Sequence, residues 1–174
     1  SDVYKRQMLI IPGSLNKLKR NGSTLSNLSG PPKLNRMTAF IIIYYISNNL
    51  NIPVICDADT GYGGINNVWE TVRRLESAGV TAIHIEDQED PKKCGGLPGR
   101  TVVPITQKVD KIHAAMSARR YPNTLIIART DAKAVEGLAS VSDRLNIYLE
   151  AGANIVLAAE AYELSELRDL GKNV

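Results

Sequence analysis

Short apolar runs recur from about residue 37 onward, each closing in charge. They are Pro53-Val-Ile-Cys-Asp-Ala-Asp59, Thr81-Ala-Ile-His-Ile-Glu-Asp87, Thr124-Leu-Ile-Ile-Ala-Arg-Thr-Asp131 and Asn154-Ile-Val-Leu-Ala-Ala-Glu160. Their length and their Ile and Val content predict buried parallel strands. Helical periodicity fills the gaps between them. Val68, Trp69, Val72 and Leu75 share a face over 67–78. Val109, Ile112, Ala115 and Met116 do so over 105–119, and Val141, Leu145, Tyr148 and Leu149 over 140–151. Gly79 and Gly152 follow the first and last of these as C-cap signals. Residues 39–46 carry β-branched and aromatic side chains, yet their place before a strand predicts a helix.

Repeated strand–helix units predict an α/β fold with a parallel sheet and right-handed crossovers. The start of the chain reads differently. Residues 1–35 are polar, then basic, then rich in Ser, Asn, Gly and Pro, and contain no strand–helix unit. The expected division is therefore a poorly defined segment, 1–35, and a catalytic domain, 36–174.

Composition narrows the class. Hydrophobic residues make up 44% and charged residues 22% of the 174, which excludes disorder as the main state. A net charge of +3 is too small to argue for nucleic acid. The longest apolar run, 39–46, cannot span a bilayer, which takes about 20 residues. Residues 8–13 are too short for a secretory h-region. Cys56 and Cys94 form no CxxC pair, which argues against structural zinc and leaves a single disulfide open. The expected setting is a reduced cytoplasm, or an organelle if the source is eukaryotic.

The strand ends carry the chemistry. Ligands of parallel sheets and barrels bind at the C-terminal strand edge. With a period of two, Asp57 and Asp59 share a face, as do His84 and Glu86, and Arg129 and Asp131. Three carboxylates, Asp57, Asp59 and Glu86, then converge with the Arg129 guanidinium, and like charges so placed call for a cation. Oxygen ligands suit Mg²⁺ or Mn²⁺ rather than zinc. The turn Thr60-Gly-Tyr-Gly-Gly64 allows close backbone approach to a ligand, Gly61 included. It is neither a Walker A loop nor GxGxxG. The connection 88–103 runs about 16 residues against an ordinary 2–6, which marks an active-site lid. In it, Lys92, Lys93 and Arg100 favour the thiolate of Cys94 and suit that thiol to acid–base work.

On these residues the chain resembles the isocitrate lyase and phosphoenolpyruvate mutase superfamily. The stretches are Asp57-Ala-Asp-Thr-Gly-Tyr-Gly63, Ile85-Glu-Asp-Gln88, Pro91-Lys-Lys-Cys-Gly95, Ile127-Ala-Arg-Thr-Asp-Ala132 and Glu160-Ala161. The resemblance implies a (β/α)₈ TIM-like barrel and a homotetramer built as a dimer of dimers. It implies Mg²⁺ on Asp57 with Asp59 and Glu86 assisting. Arg129, Glu160, Gly61 and Gly95 would bind a small carboxylate, and Cys94, Lys92 and Arg129 would be catalytic. Cys94 points to lyases that cleave isocitrate or 2-methylisocitrate by retro-aldol chemistry, releasing glyoxylate or pyruvate. The alternatives are a phosphonopyruvate or carboxyphosphonoenolpyruvate mutase, an oxaloacetate decarboxylase, or an inactive fragment. Gly96 stands where those lyases carry His, and Lys33 where the family carries Asp. Eight strand–helix units need about 200–250 residues, so an incomplete barrel is expected, its first strand degraded and its last strands missing.

Overall fold

The computed structural model describes residues 9–11, 36–93, 98–160 and 162–174. Five strands, β1 (Leu9–Ile11), β2 (Val54–Asp57), β3 (Ala82–Glu86), β4 (Leu125–Thr130) and β5 (Ile155–Ala158), form one sheet in chain order. Every neighbouring pair is parallel. The helices are α1 (Arg36–Asn49), α2 (Ile65–Ser77), α3 (Ile105–Ala118), α4 (Lys133–Glu136), α5 (Leu138–Glu150) and α6 (Leu164–Asn173). The strand at Leu9–Ile11 falls inside the segment in which sequence reading finds no strand–helix unit. At three residues it is too brief to give an alternation signal. Residues 39–46 are helical, so position in the βα rhythm overrides their β propensity.

Register divides the strand side chains into two sets. Cys56, Ile83 and Ile126 align in one row, and Ile85, Ala128 and Val156 in the next. This face meets the helices. Cys56, Ile83, Ile85 and Ile126 pack with Ile43 of α1, Val68, Val72 and Leu75 of α2, and Ala115 of α3. Ala128 and Val156 pack with Ile112 and Tyr148. Val68 and Val72 are 0% exposed. Each such side chain contributes about 1.5–3 kcal/mol. Strands that follow one another with crossovers of one hand place their helices on one side, leaving the other face for a site. That second face carries Asp57, His84, Ile127 and Ile155 in one row and Glu86, Arg129 and Leu157 in the next.

Two helical faces are narrower than the periodicity suggests. Trp69 is 40% exposed and Leu149 37% exposed, because each sits one residue, about 100°, past a buried neighbour. In their place the core takes polar residues: Lys108 and Lys111 from α3, and Arg144 from α5. Gly79 and Gly152 close α2 and α5 with φ of 89° and 97°, as the C-cap signals predict. The short α4 carries no sequence signal of its own. No helix among the described residues is long and apolar enough to cross a membrane. Cys56 is a free, buried thiol, its pKa pushed up to about 12 chiefly by burial.

Candidate active site

The turn after β2 builds the first side of the site. Asp59 and Tyr62 adopt φ of 52° and 62°, and Gly61 between them 89°. A Cβ on Gly61 would collide with Val68 Cγ2, so α2 packs directly on this turn. Backbone hydrogen bonds stitch the turn to β3: Ala58 N–H donates to His84 O at 2.8 Å, and Glu86 N–H to Asp59 O at 2.8 Å. Asp59 N–H donates to Asp57 Oδ1 at 2.9 Å. Lys111 Nζ reaches through from α3 to Thr60 O at 3.0 Å. Asp59 is thus held in a left-handed conformation that a carboxylate residue tolerates better than most.

From Asp59 outward, carboxylates and cations alternate along the strand ends. Lys92 touches Asp59 Oδ1 and stands 3.1 Å from Glu86 Oε1. On the other side of Glu86, Arg129 lies 3.1 Å from Oε2 and also 2.6 Å from Asp131 Oδ1. Arg100 lies 3.4 Å from the same Asp131 oxygen and 3.1 Å from Glu160 Oε1. Asp57 sits beside this chain, 3.5 Å from His84 Nδ1.

Environment sets these acids apart. Burial would raise the Asp57 carboxyl, but His84 and the Asp59 N–H outweigh it and hold it down at about 2. Burial prevails at Asp59 and Glu86, whose pKa values are raised despite Lys92 and Arg129. Burial works against the charged forms of Lys92 and Arg129 too. There the facing carboxylates win, and both are raised. Glu86 is 1% exposed and meets its cations as ion pairs, without a well-aligned hydrogen bond on either oxygen.

Behind the belt lies a buried polar support. Asp87 Oδ1 accepts the Asp131 N–H at 2.9 Å. Asp87 Oδ2 accepts from Tyr148 Oη at 2.8 Å and Arg144 Nη1 at 3.2 Å. Arg144 continues to Glu136 at 2.8 Å. Lys108 Nζ donates to Ile85 O at 2.8 Å, and burial pushes its pKa down to about 7.

Asp59, Glu86, Lys92 and Arg129 therefore come together, Asp57 stands next to them, and Glu160 joins through Arg100. Gly61 lies in the adjoining turn. Cys94, Gly95, Gly96 and Lys33 lie outside the described residues. Lys92 and Arg100 join Arg129 as cations on the belt. Among the described residues, no three His, Cys, Asp or Glu side chains converge on a point ready to hold a metal. The reason is visible, since Lys92 lies between Asp59 and Glu86 and Asp57 turns to His84. The donor set itself suits a hard cation, with an ammonium standing in for it between two buried carboxylates. Sequence reading missed Arg100 as a belt member and the Asp87–Tyr148–Arg144 support. The available signal was polar residues in apolar positions: Lys108 and Lys111 beside Ile112, and Arg144 beside Leu145. A separate groove of about 460 Å³ lies between α1 and α2, lined by Phe40, Tyr44, Trp69 and Arg73, away from the carboxylates.

Comparison with known proteins identifies the family. The pattern of the phosphoenolpyruvate phosphomutase family matches residues 23–174. A 2-methylisocitrate lyase from Aeropyrum pernix is 38% identical, the match covering 99% of this chain and 60% of the relative. The crystal structure of a 2,3-dimethylmalate lyase superposes with a TM-score of 0.74 at 35% identity, covering 78% of this chain and 46% of that one. A phosphonopyruvate hydrolase complexed with oxalate and Mg²⁺ superposes with a TM-score of 0.69 at 33% identity, covering 78% and 47%. The chain spans about half the length of these relatives. The architecture is that of a TIM-like barrel, present here as five consecutive strands with their helices.

Proposed function

The chain belongs to the phosphoenolpyruvate phosphomutase family, and from that premise we propose that its sheet edge is the active site of a carbon–carbon lyase. The substrate class is a small 2-hydroxy di- or tricarboxylate of the 2-methylisocitrate or 2,3-dimethylmalate kind, the acids for which its relatives are named. The observation that carries this reading is the pairing of Asp59 and Glu86 around a cation, with Arg129 beside them. Asp57, Asp59 and Glu86 would hold Mg²⁺ or Mn²⁺. Once bound, that ion supplies Lewis-acid stabilisation of the charge that develops at the breaking bond. A solved relative holding Mg²⁺ with oxalate, a small dicarboxylate, supports the donor set.

The remaining work falls to the chain's own groups. Arg129, already between two carboxylates, offers its guanidinium to a substrate carboxylate in a fork. Glu86 and Asp131 hold that guanidinium in place, so binding requires little reorganisation. Arg100 fixes Glu160 at the far end of the belt. Gly61 gives backbone approach without a side chain in the way, and Gly95, outside the described residues, is proposed to do the same. Lys92 adds a cation at the near end. In retro-aldol cleavage a base takes the hydroxyl proton as the C–O becomes a carbonyl, the C–C bonding pair goes to the departing carbon, and the Cys94 thiol donates the proton that quenches it. A homotetrameric, cytoplasmic enzyme belongs to the same reading and rests on the family likeness alone.

The test is a spectrophotometric assay for pyruvate or glyoxylate with Mg²⁺. 2-Methylisocitrate, 2,3-dimethylmalate and isocitrate are offered beside oxaloacetate and phosphonopyruvate. Turnover of a 2-hydroxy acid supports the lyase. Turnover of phosphonopyruvate or oxaloacetate alone would replace it with the mutase, hydrolase or decarboxylase reading.

A further inference from the structure

The cation between Asp59 and Glu86 is a residue of the chain itself. The Lys92 ammonium touches Asp59 Oδ1 and lies 3.1 Å from Glu86 Oε1, two oxygens that a divalent ion would need. Glu86 is buried, so its charge must have a partner. Arg129 cannot take over that duty alone. It is bound to Asp131 at 2.6 Å and faces the opposite oxygen of Glu86. An ammonium and a divalent ion cannot share the same oxygens, because like charges that close repel strongly.

One of the two must move, and the backbone decides how. The main chain on both sides of Lys92 is anchored. Lys93 N–H donates to Gln88 Oε1 at 3.1 Å, and Gln88 pairs with Val102 in an antiparallel bridge. Glu89 N–H donates to Thr101 O at 3.0 Å. Thr60 Oγ1 donates to Asp90 Oδ2 at 2.8 Å. What remains free to swing is the four-carbon stem of Lys92, which is flexible and ends in a compact charge.

We infer that Lys92 is a built-in competitor for the divalent-cation site, bound to Asp59 and Glu86 until the metal displaces it. The inference rests on the metal reading given above. Displacement does two things at once. It neutralises the two carboxylates, and it releases a positive charge beside Arg129. The pocket thereby changes from cation-receiving to anion-receiving, which orders binding: metal first, carboxylate substrate second.

The test measures Mn²⁺ affinity by electron paramagnetic resonance for the unaltered chain, Lys92→Met and Lys92→Gln. Both variants should bind Mn²⁺ at least about tenfold more tightly, since each removes the competing charge. In the unaltered chain, acetylation of Lys92 by an amine-selective reagent, read by mass spectrometry, should rise on saturation with Mn²⁺. Equal affinity in all three proteins, or weaker binding in the variants, overturns the competition while leaving the metal reading standing. Absence of Mn²⁺ binding in all three overturns both. If the variants do not fold, the acetylation experiment decides alone, and a Lys92 that Mn²⁺ leaves equally protected rejects the inference.

Discussion

Asp87 is fully buried, and it answers three donors: the Asp131 N–H, the Tyr148 hydroxyl and the Arg144 guanidinium. Removing it would strand Arg144 in the core and release the backbone of Asp131. Asp87→Ala should therefore lower the unfolding free energy by about 3–5 kcal/mol in chemical denaturation, the range for breaking a buried ion pair from one side. A loss below about 1 kcal/mol would show that Arg144 finds full compensation in Glu136. Lys108 makes a prediction of a different kind. Burial pushes its pKa down to about 7, against an ordinary value near 10.5. Above pH 7 the folded chain gives up this proton while the unfolded chain keeps it. The unfolded state then binds more protons, so stability rises with pH. The rise should run from about 7 to about 9, where the raised pKa of Cys56 begins to act in the opposite sense. Lys108→Met should flatten that rise in denaturation curves taken at successive pH values, and a slope equal to the unaltered chain's would assign the effect elsewhere.

At the scale of elements, the turn between β2 and α2 is the most constrained piece of the site. Gly61→Ala asks an L-residue to adopt φ 89° and drives a methyl into Val68 Cγ2. We expect a loss of about 1–3 kcal/mol together with weaker Mn²⁺ binding, because Asp59 rides on the same turn. Full stability with unchanged Mn²⁺ affinity would mean that the turn tolerates another path. The same elements show what was legible beforehand. The strands of 53–59, 81–87, 124–131 and 154–160 declare themselves because apolar runs ending in charge are unusual, and their ends hold the belt. β1 does not, being three residues beside a turn-rich stretch. The polar support stays hidden for a physical reason. Arg144 and Tyr148 give no sign in a helical wheel that they share a partner, and only the fold shows that the buried Asp87 receives both. Arg100 is readable as a cation but not as a neighbour of Glu160, since the two stand 60 positions apart in the chain.

At the scale of the whole molecule, the site-bearing face of the sheet is unevenly covered. Ile155 and Leu157 of β5 are 42% and 43% exposed, and β5 itself pairs on one side only among the described residues. Exposed apolar side chains on an edge strand invite association. Ile155→Lys should shift the light-scattering mass of the chain toward the monomer, and an unchanged distribution would place the association surface elsewhere. The order of the strands has a further consequence, for the way the chain reaches this state. Each strand pairs with its immediate successor, as Ala82 does with Leu125 and Ile127 with Ile155. Among the described strands each pairing thus joins consecutive strands, and none waits for a strand further along the chain. Loop-closure entropy is met in small, separate steps, which lowers the kinetic barrier relative to sheets whose neighbours are remote in sequence. Such a chain can fold vectorially during synthesis, each new helix docking on strands already in place.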